Sequence, residues 1–493
     1  MKKTSLKTNA LLNGVRQCCS LLFPLITFPY VSRVLGSEAY GKYNFGFSYV
    51  SYFVLLAALG TAAYAVREGS GLRDDSEKLS RFADELFSIN IVTMLFAYAA
   101  LLLSFVFWRK LDTYRTLILV QSMSVFLNSI GVDWINSIFE DFRYITIRYI
   151  AFQGAAVLLM FALVRSPEDY IIYAAIHTFA NSGANLMNLF YTRKRYIKTR
   201  FTVSMGFRRH IVPLLVLFCN TLAVTVYVNS DITLIGIFRT DTEVGMYSVA
   251  AKIYNILKQV LNAVIVVVIP RAAYYLGNKN QEKYQHLLNM TLRTLLCLTL
   301  PVIAGIFVLA EEIVFLAGGG EYFPAVTPLR ILCGALGFSV LACFFSNAVL
   351  IVHKMEAAAL KATAASAAVN IALNLYFIPR YGITGAAVTT AAAEFCVFLV
   401  SMKASGNKWK KDFGGKEIFS YILGSMAAGG AAFLIKLTAA PVPAKVFFSV
   451  FAAGAVYFGI LLSLKNEIAL AGVSSLRTFA AHKRELHKKD QKK

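Results

Sequence analysis

Six charged residues stand where a largely apolar chain does not readily keep them. Arg16, Lys252 and Lys258, with the carboxylates Asp133, Asp231 and Glu394, all fall in or at the edge of long hydrophobic stretches. A charge at the centre of a bilayer costs about 2.5–3.5 kcal/mol on insertion scales, so such groups face a cavity or a partner rather than lipid. Cations in a dry cleft suit a phosphate or pyrophosphate, and the planar fork of arginine matches its oxygens two at a time. Carboxylates at that depth carry a proton or a small cation, or they neutralise a nearby Lys or Arg. Phe23, Phe28, Tyr30, Tyr43, Tyr49, Tyr52 and Tyr227 offer ring faces and hydroxyls of the kind that hold sugars. With 13% of the chain aromatic, many rings must simply pack between helices or belt an interface.

Spacing places these groups on polar faces. Asn13, Arg16, Ser20, Pro24 and Thr27 are three or four residues apart, which is one face of a helix. Pro24 and Pro29 should bend that helix, and Arg33 closes it. Ser248, Lys252, Asn255, Gln259 and Asn262 repeat the pattern, with Lys258 off the stripe by roughly 120° but long enough to reach around. Two further stripes are His177, Asn181, Asn185 and Asn188, and Thr363, Ser366, Asn370 and Asn374. Asn, Ser and Gln in such places often only bond between helices, at about 0.6 kcal/mol per contact, and His177 reads as a bonded core residue. The cations have no such cheap role. The candidate substrate-binding set is Arg16, Arg33, Lys252, Lys258, Asn13 and Asn255; the candidate ion-coupling carboxylates are Asp231, Glu394 and Asp133. Asp231 has the alternative of neutralising Arg33 or Lys252, and Glu394 that of a structural pair. Lys258 and Lys252, about 9 Å apart along their helix, could follow Arg16 as successive phosphate contacts.

The elements that must position these residues are membrane helices. The chain is 57% hydrophobic and 15% charged, with a mean hydropathy of +0.60, outside the range of soluble domains. Spans of about 20 apolar residues are expected near 10–34, 42–66, 85–107, 115–139, 145–164, 170–191, 210–235, 245–269, 287–309, 327–352, 359–377, 383–402, 417–436 and 445–464. No ten-residue alternation suggests a β-barrel. Gaps reach only roughly 20 residues, the longest being an outer loop from Ala310 to Leu329, too short for a folded domain.

The chain also repeats itself. Gly41-Lys42-Tyr43 opens a run that ends at Arg67, and Gly245-Met246-Tyr247 opens one that ends at Arg271, so Gly, Tyr and Arg recur at an offset of about 204 residues. Two similar membrane halves point to a transporter. Six spans per half return the chain to the side from which it started, which makes the halves parallel repeats about an axis along the membrane normal.

The formal net charge of +22 is unevenly placed. About 35 Lys and Arg fall between spans on one side and about 10 on the other, which puts the rich side and both termini in the cytoplasm. The rich side holds Lys2, Lys3 and Lys7, the loop from Arg193 to Arg209, Lys408, Lys410 and Lys411, and the tail from Lys483 to Lys493. Such loops meet anionic lipid rather than nucleic acid. The seven cysteines all fall in apolar spans without metal-ligand spacing, and no metal or cofactor is expected. Arg16 interrupts the first apolar run and no small-residue cleavage site follows, so the first helix is expected to be retained.

Pro24-Leu-Ile-Thr-Phe-Pro29-Tyr-Val-Ser-Arg33-Val-Leu-Gly36, followed by Gly41-Lys-Tyr43, resembles the first helix and turn of the O-antigen and capsule repeat-unit flippases. These belong to the multidrug/oligosaccharidyl-lipid/polysaccharide exporter superfamily. Arg67-Glu68, Asp133-Trp134 with Glu140, Tyr144 to Arg148, Asp231 to Gly236, Val244 to Tyr247 with Lys252, Pro270-Arg271, and Asn370 through Gly382 to Glu394 extend the resemblance over roughly residues 8–403. Ile135-Asn136-Ser137 stands where family members commonly show an aromatic and a glycine.

The resemblance implies an all-α polytopic membrane protein of about 14 transmembrane helices, as a V-shaped pair of six-helix bundles with two added C-terminal helices. The expected limits are 1–192 and 210–403 for the bundles, 193–209 for a basic cytoplasmic loop, 404–464 for a loop and helices 13 and 14, and 465–493 for a basic tail. It also implies a flippase that moves undecaprenyl-pyrophosphate-linked oligosaccharide from the cytoplasmic to the outer leaflet of a bacterial inner membrane. The expected partners are that glycolipid and membrane lipids, with polysaccharide polymerase and chain-length machinery as further candidates. No Walker loop is present, so an ion gradient or consumption of the product must drive transport. The rivals are a drug/cation antiporter of the same superfamily, which would want an anionic pocket, and an exporter of teichoic acid or lipid II.

Overall fold

The computed structural model describes residues 6–203, 206–412 and 414–471; Lys2, Lys3, the Lys7 side chain and the basic tail lie outside them. The described residues form no strand. Lipid offers no partner to a main-chain N–H or C=O, so a spanning apolar chain satisfies its own backbone as helix. The elements are α1 (Leu6–Ala58), α2 (Thr61–Gly69), α3 (Ser76–Phe107), α4 (Arg115–Ile130), α5 (Asp133–Ile138), α6 (Phe142–Leu163), α7 (Tyr170–Thr178) and α8 (Ala184–Arg195). They continue with α9 (Phe207–Phe238), α10 (Asp241–Gly277), α11 (Gln281–Gly318), α12 (Val326–Cys343), α13 (Glu356–Ser405), α14 (Gly415–Lys436) and α15 (Val442–Ser463).

Among the described residues, ten helical stretches are long and apolar enough to cross a membrane. Two of them hold a pair of expected spans each. In α1, helical dihedrals persist through Pro24 and Pro29 and are lost at Gly36, where φ 71° and ψ 176° suit only glycine; in α13 the break is at Gly382. The bend expected at the prolines thus falls at the glycine, because a proline can keep helical φ while Gly36 does not. Two other expected spans are interrupted. The fourth breaks at Val132, which is left-handed at φ 38°, before α5 begins; the sixth opens into a π turn over Phe179–Gly183. Outward-facing apolar side chains such as Leu95, Phe96 and Val106 on α3, and Phe447, Phe448 and Phe451 on α15, suit a lipid surface. The protein is a multi-pass membrane protein.

Packing separates the chain into two compact units. The first comprises Met1–Val249 with Asn370–Ala386, and the second Ala250–Val369 with the described residues from Ala387 onward. In the first unit α1 runs alongside α6, with Thr146 donating to the Leu12 carbonyl and Tyr30 to that of Val164. Beyond Gly36, α1 meets α9 through Ser48, whose hydroxyl bonds Thr233 at 2.7 Å and the Asn229 carbonyl at 3.0 Å. An apolar core of Tyr64, Leu79, Phe82, Leu86, Trp134, Ile135 and Leu214 closes one end. Asn136, in the stretch that departs from the family pattern, is fully buried and donates to Asn188 Oδ1 at 2.5 Å.

In the second unit α14 and α15 pack on α11, where the Tyr457 hydroxyl donates to the Cys297 carbonyl at 2.6 Å. The outer loop expected from Ala310 to Leu329 is mostly helical: α11 continues to Gly318 and a short 3-10 turn, Gly320–Ala325, leads into α12. Its acidic residues are engaged, Glu311 with Arg330 at 3.1 Å and with Lys436 at 2.8 Å, and Glu312 with Lys436 at 3.6 Å.

Candidate functional site

A polar cavity of about 370 Å³ lies within the first unit. Helix breaks build much of its wall. α4 ends at Ile130, the left-handed Val132 lets α5 present Asp133 and Trp134, and the π turn presents Ala180 and Asn181. Irregular backbone at membrane depth is tolerated where it lines a cavity, and both interruptions do so. α1 contributes Arg16, α3 Asn90, α4 Asn128, α6 Arg148 and α8 Asn185. Amides brace the wall: Thr61 donates to Asn90 Oδ1 at 2.7 Å, Asn185 to Asn128 Oδ1 at 2.8 Å, and Asn188 to the Gly131 carbonyl at the α4 break.

The charged groups are two arginines and one aspartate. Arg148 Nη2 donates to Asp133 Oδ1 at 2.5 Å, and Nη1 to the Ala184 carbonyl at 3.4 Å. The Arg148 side chain is 9% exposed and that of Asp133 46%, so the carboxylate is the half of the pair that water or a ligand reaches. Arg16 Nη2 donates to Asn13 Oδ1 at 3.1 Å, and no carboxylate among the described residues pairs with it. Three N–H donors of this lining are buried without a partner among the described residues: Arg16 Nε, Arg148 Nε and Trp134 Nε1. A buried unsatisfied donor costs about 1–3 kcal/mol, more when charged, so three on the residues that line one cavity call for an acceptor-rich ligand or water.

The other candidates are distributed over both units. Asn13 serves as the acceptor for Arg16. Asp133 is the counter-ion of Arg148. Arg33 is exposed. Asp231 is 5% exposed and accepts from the Tyr247 hydroxyl at 2.5 Å and from Asn374 at 2.6 Å; Asn374 also donates to Asn370 Oδ1, which accepts from Ser230. Lys252, Lys258, Asn255 and Glu394 belong to the second unit. There Lys258 Nζ lies 2.5 Å from Glu394 Oε1, which also accepts from the Tyr254 hydroxyl at 2.7 Å. Glu394 is thus buried and paired with Lys258. Lys252 Nζ meets no carboxylate in an ion pair among the described residues, and Asn255 is half-buried nearby in sequence.

Sequence reasoning did not single out Arg148, which entered only as the end of a motif, nor the Trp134 N–H. Their signal was weak, since Arg148 lies near the start of an apolar span, where a cation ordinarily reaches the interface. His177 is a bonded residue as expected, contacted by Asn181 Nδ2 and set edge-on to the Tyr43 and Phe47 rings.

Known proteins resemble this chain in sequence and in fold. The family model described as polysaccharide biosynthesis protein matches residues 6–275, which takes in every residue of the cavity. A protein of Escherichia coli (strain K12) named as an O-antigen transporter is 26% identical over 417 residues, covering 82% of this chain and 98% of that protein. Among solved structures, the lipid II flippase MurJ in an inward closed conformation has a TM-score of 0.75, covering 93% of this chain and 100% of that one at 16% identity. An inward-facing multidrug resistance MATE family transporter of the MOP superfamily has a TM-score of 0.57 over 79% and 98%, at 13% identity. At such identities the two structures establish the fold, and the family model, which matches more than half of the chain, establishes the family. The resemblance carried by Pro24 to Gly36 and the motifs after it therefore holds, and the chain belongs to the polysaccharide biosynthesis protein family.

Proposed function

We propose that this protein is a flippase that moves undecaprenyl-pyrophosphate-linked oligosaccharide repeat units from the cytoplasmic to the outer leaflet of a bacterial inner membrane. It acts by alternating access between six-helix bundles at 1–192 and 210–403, with both termini in the cytoplasm. The carrying observation is the group of unpartnered donors on Arg16, Arg148 and Trp134 in one cavity. A pyrophosphate presents many acceptor oxygens, and Arg16 is the cation in this lining that no carboxylate among the described residues occupies. Asp133 neutralises Arg148 in this cavity; an entering phosphate would replace it there, so that the counter-ion is exchanged rather than the guanidinium stripped. In the second unit, taken by itself, Lys252 is a further candidate phosphate contact, and Lys258 pairs with Glu394. An organic cation would meet two guanidinium groups and one carboxylate that is already engaged, which disfavours the antiporter reading.

The direct test uses the purified protein in liposomes loaded asymmetrically with a labelled undecaprenyl-pyrophosphate glycan. Time-dependent appearance of the label on the opposite face, lost in Arg16→Ala, is the expected result. Failure to move it, together with transport of an organic cation, would assign the fold to the rival class.

A further inference from the structure

α8 ends in Arg193-Lys194-Arg195, and the chain runs on through Val203 with little regular structure, yet it is firmly held. The hydroxyls of Tyr191 and Tyr196 both donate to Asp141 Oδ2, at 2.6 and 2.8 Å, and the Tyr196 ring stacks on Phe139. Arg195 lies over both tyrosine rings. Further along, the Arg200 N–H donates to Asp84 Oδ1 at 2.7 Å and the Thr202 N–H to Ser88 Oγ at 2.8 Å, which ties the segment to α3.

Between these anchors is an open groove of about 430 Å³ lined by Arg193, Lys198, Thr199, Arg200 and Phe201. Arg193 Nη2 donates to the Thr199 carbonyl at 3.1 Å. Arg193 Nε and the Thr199 hydroxyl, however, are buried without a partner among the described residues, and Thr199 is only 1% exposed. A hydroxyl and a guanidinium N–H left unsatisfied on two residues of one groove are costly, and an anion with two free oxygens can relieve both. Lys198 and Arg200 stand exposed, and beside them Phe201 and Val203 expose apolar side chains at 55% and 85%. Apolar residues that flank a basic groove fit acyl chains next to a phosphate.

We propose that this groove is a built headgroup site for one anionic phospholipid of the cytoplasmic leaflet. The two free phosphodiester oxygens take Arg193 Nε and the Thr199 hydroxyl, Lys198 and Arg200 close on the charge, and the acyl chains lie along Phe201 and Val203. This is a defined site rather than the diffuse attraction that any basic loop exerts on anionic lipid. A phosphodiester is favoured over the pyrophosphate of a glycolipid because the wall offers one guanidinium N–H and one hydroxyl, which match two oxygens.

Native mass spectrometry of the full-length protein in mild detergent tests the site, with phosphatidylglycerol, phosphatidylethanolamine and a polyprenyl pyrophosphate as probes. Retention of one phosphatidylglycerol in preference to phosphatidylethanolamine is expected. Thr199→Val, which leaves every charge in place, should lower its occupancy about three- to tenfold, and Arg193→Gln tenfold or more. Lys194→Gln, an equal charge loss away from the groove, should leave occupancy unchanged. Loss in both charge variants with none in Thr199→Val would reduce the site to a diffuse field and overturn the proposal. Displacement by the polyprenyl pyrophosphate, lost in the same variants, would hand the groove to the cargo and overturn it equally.

Discussion

Gly41 and Gly245 pack reciprocally. A Cβ on Gly41 would overlap the Asp241 carbonyl, and a Cβ on Gly245 would overlap that of Ser37, so each glycine lies against the carbonyl four residues before the other. Ser37 and Asp241 stand at the offset that separates the glycines themselves. The repeat visible in the sequence therefore reappears as a local twofold contact between α1 and α10, where the two backbones come too close for a side chain. Main-chain approach of this kind is what small residues permit between membrane helices.

Gly41→Ala or Gly245→Ala should each lower stability by about 1–3 kcal/mol, because a carbonyl cannot turn away as a side chain can. The double variant should cost less than the two single changes together, since either one already parts the same helices. Thermal unfolding in detergent reads this directly; small and strictly additive shifts would mean that the contact is looser than described.

Trp134→Phe separates binding from folding. It removes a buried N–H that has no partner among the described residues, so the empty protein should not lose a hydrogen bond. Binding of the pyrophosphate glycolipid should weaken about five- to tenfold, the worth of one hydrogen bond. Unchanged affinity would mean that this N–H faces no ligand acceptor.

Arg16→Ala should abolish most transport, while Arg16→Lys should retain a measurable part, since a point cation still attracts phosphate without the bidentate fork. Both should insert and fold like the parent protein, because Arg16 pairs with no carboxylate among the described residues. Equal activity of the alanine variant and the parent would remove Arg16 from the path.

Removing either partner of the Asp133–Arg148 pair should be worse than removing both. For a fully buried pair the loss of one side costs about 3–5 kcal/mol, and less applies here because Asp133 is 46% exposed. A double-mutant cycle on Asp133→Asn and Arg148→Gln should return a coupling above about 1 kcal/mol. No coupling would make the contact incidental.

The two buried carboxylates should part company. Glu394→Gln leaves Lys258 without its counter-ion and should show mainly as lost stability, on the order of 3 kcal/mol. Asp231 accepts from the Tyr247 hydroxyl and the Asn374 amide, and a carboxylate at membrane depth is where a cation or proton couples to transport. Asp231→Asn should therefore erase any dependence of vesicle transport on an imposed sodium or proton gradient. Transport by the parent protein that ignores both gradients would return Asp231 to a structural role.

The sequence made the helices legible because lipid demands about twenty apolar residues per crossing, and nothing else in the chain has that length. It made Arg16 legible because a cation there has no cheap role. Arg148 was not legible, since its worth depends on Asp133, which reaches it from another element across the α4 break. Lys258 and Glu394 were legible only one at a time, and their union settles that Glu394 has a partner. The breaks at Val132 and in the π turn coincide with small and polar residues, Gly131 and Asp133 at the first and Asn181, Ser182 and Gly183 in the second, which read equally well as polar faces of continuous helices.

Those two breaks have a consequence for how the molecule breathes. Where a helix is continuous, each amide proton is shielded by its neighbours in the ladder and exchanges with solvent only when several bonds open together. Around Gly131 and over Phe179–Gly183 that ladder is interrupted or widened, and side-chain amides such as Asn188 take part of its work. A left-handed valine adds roughly 1–3 kcal/mol of backbone strain at the same place. Deuterium should therefore enter these short segments well before it enters the helices on either side, which makes the cavity wall a pair of soft seams in an otherwise slow-exchanging bundle.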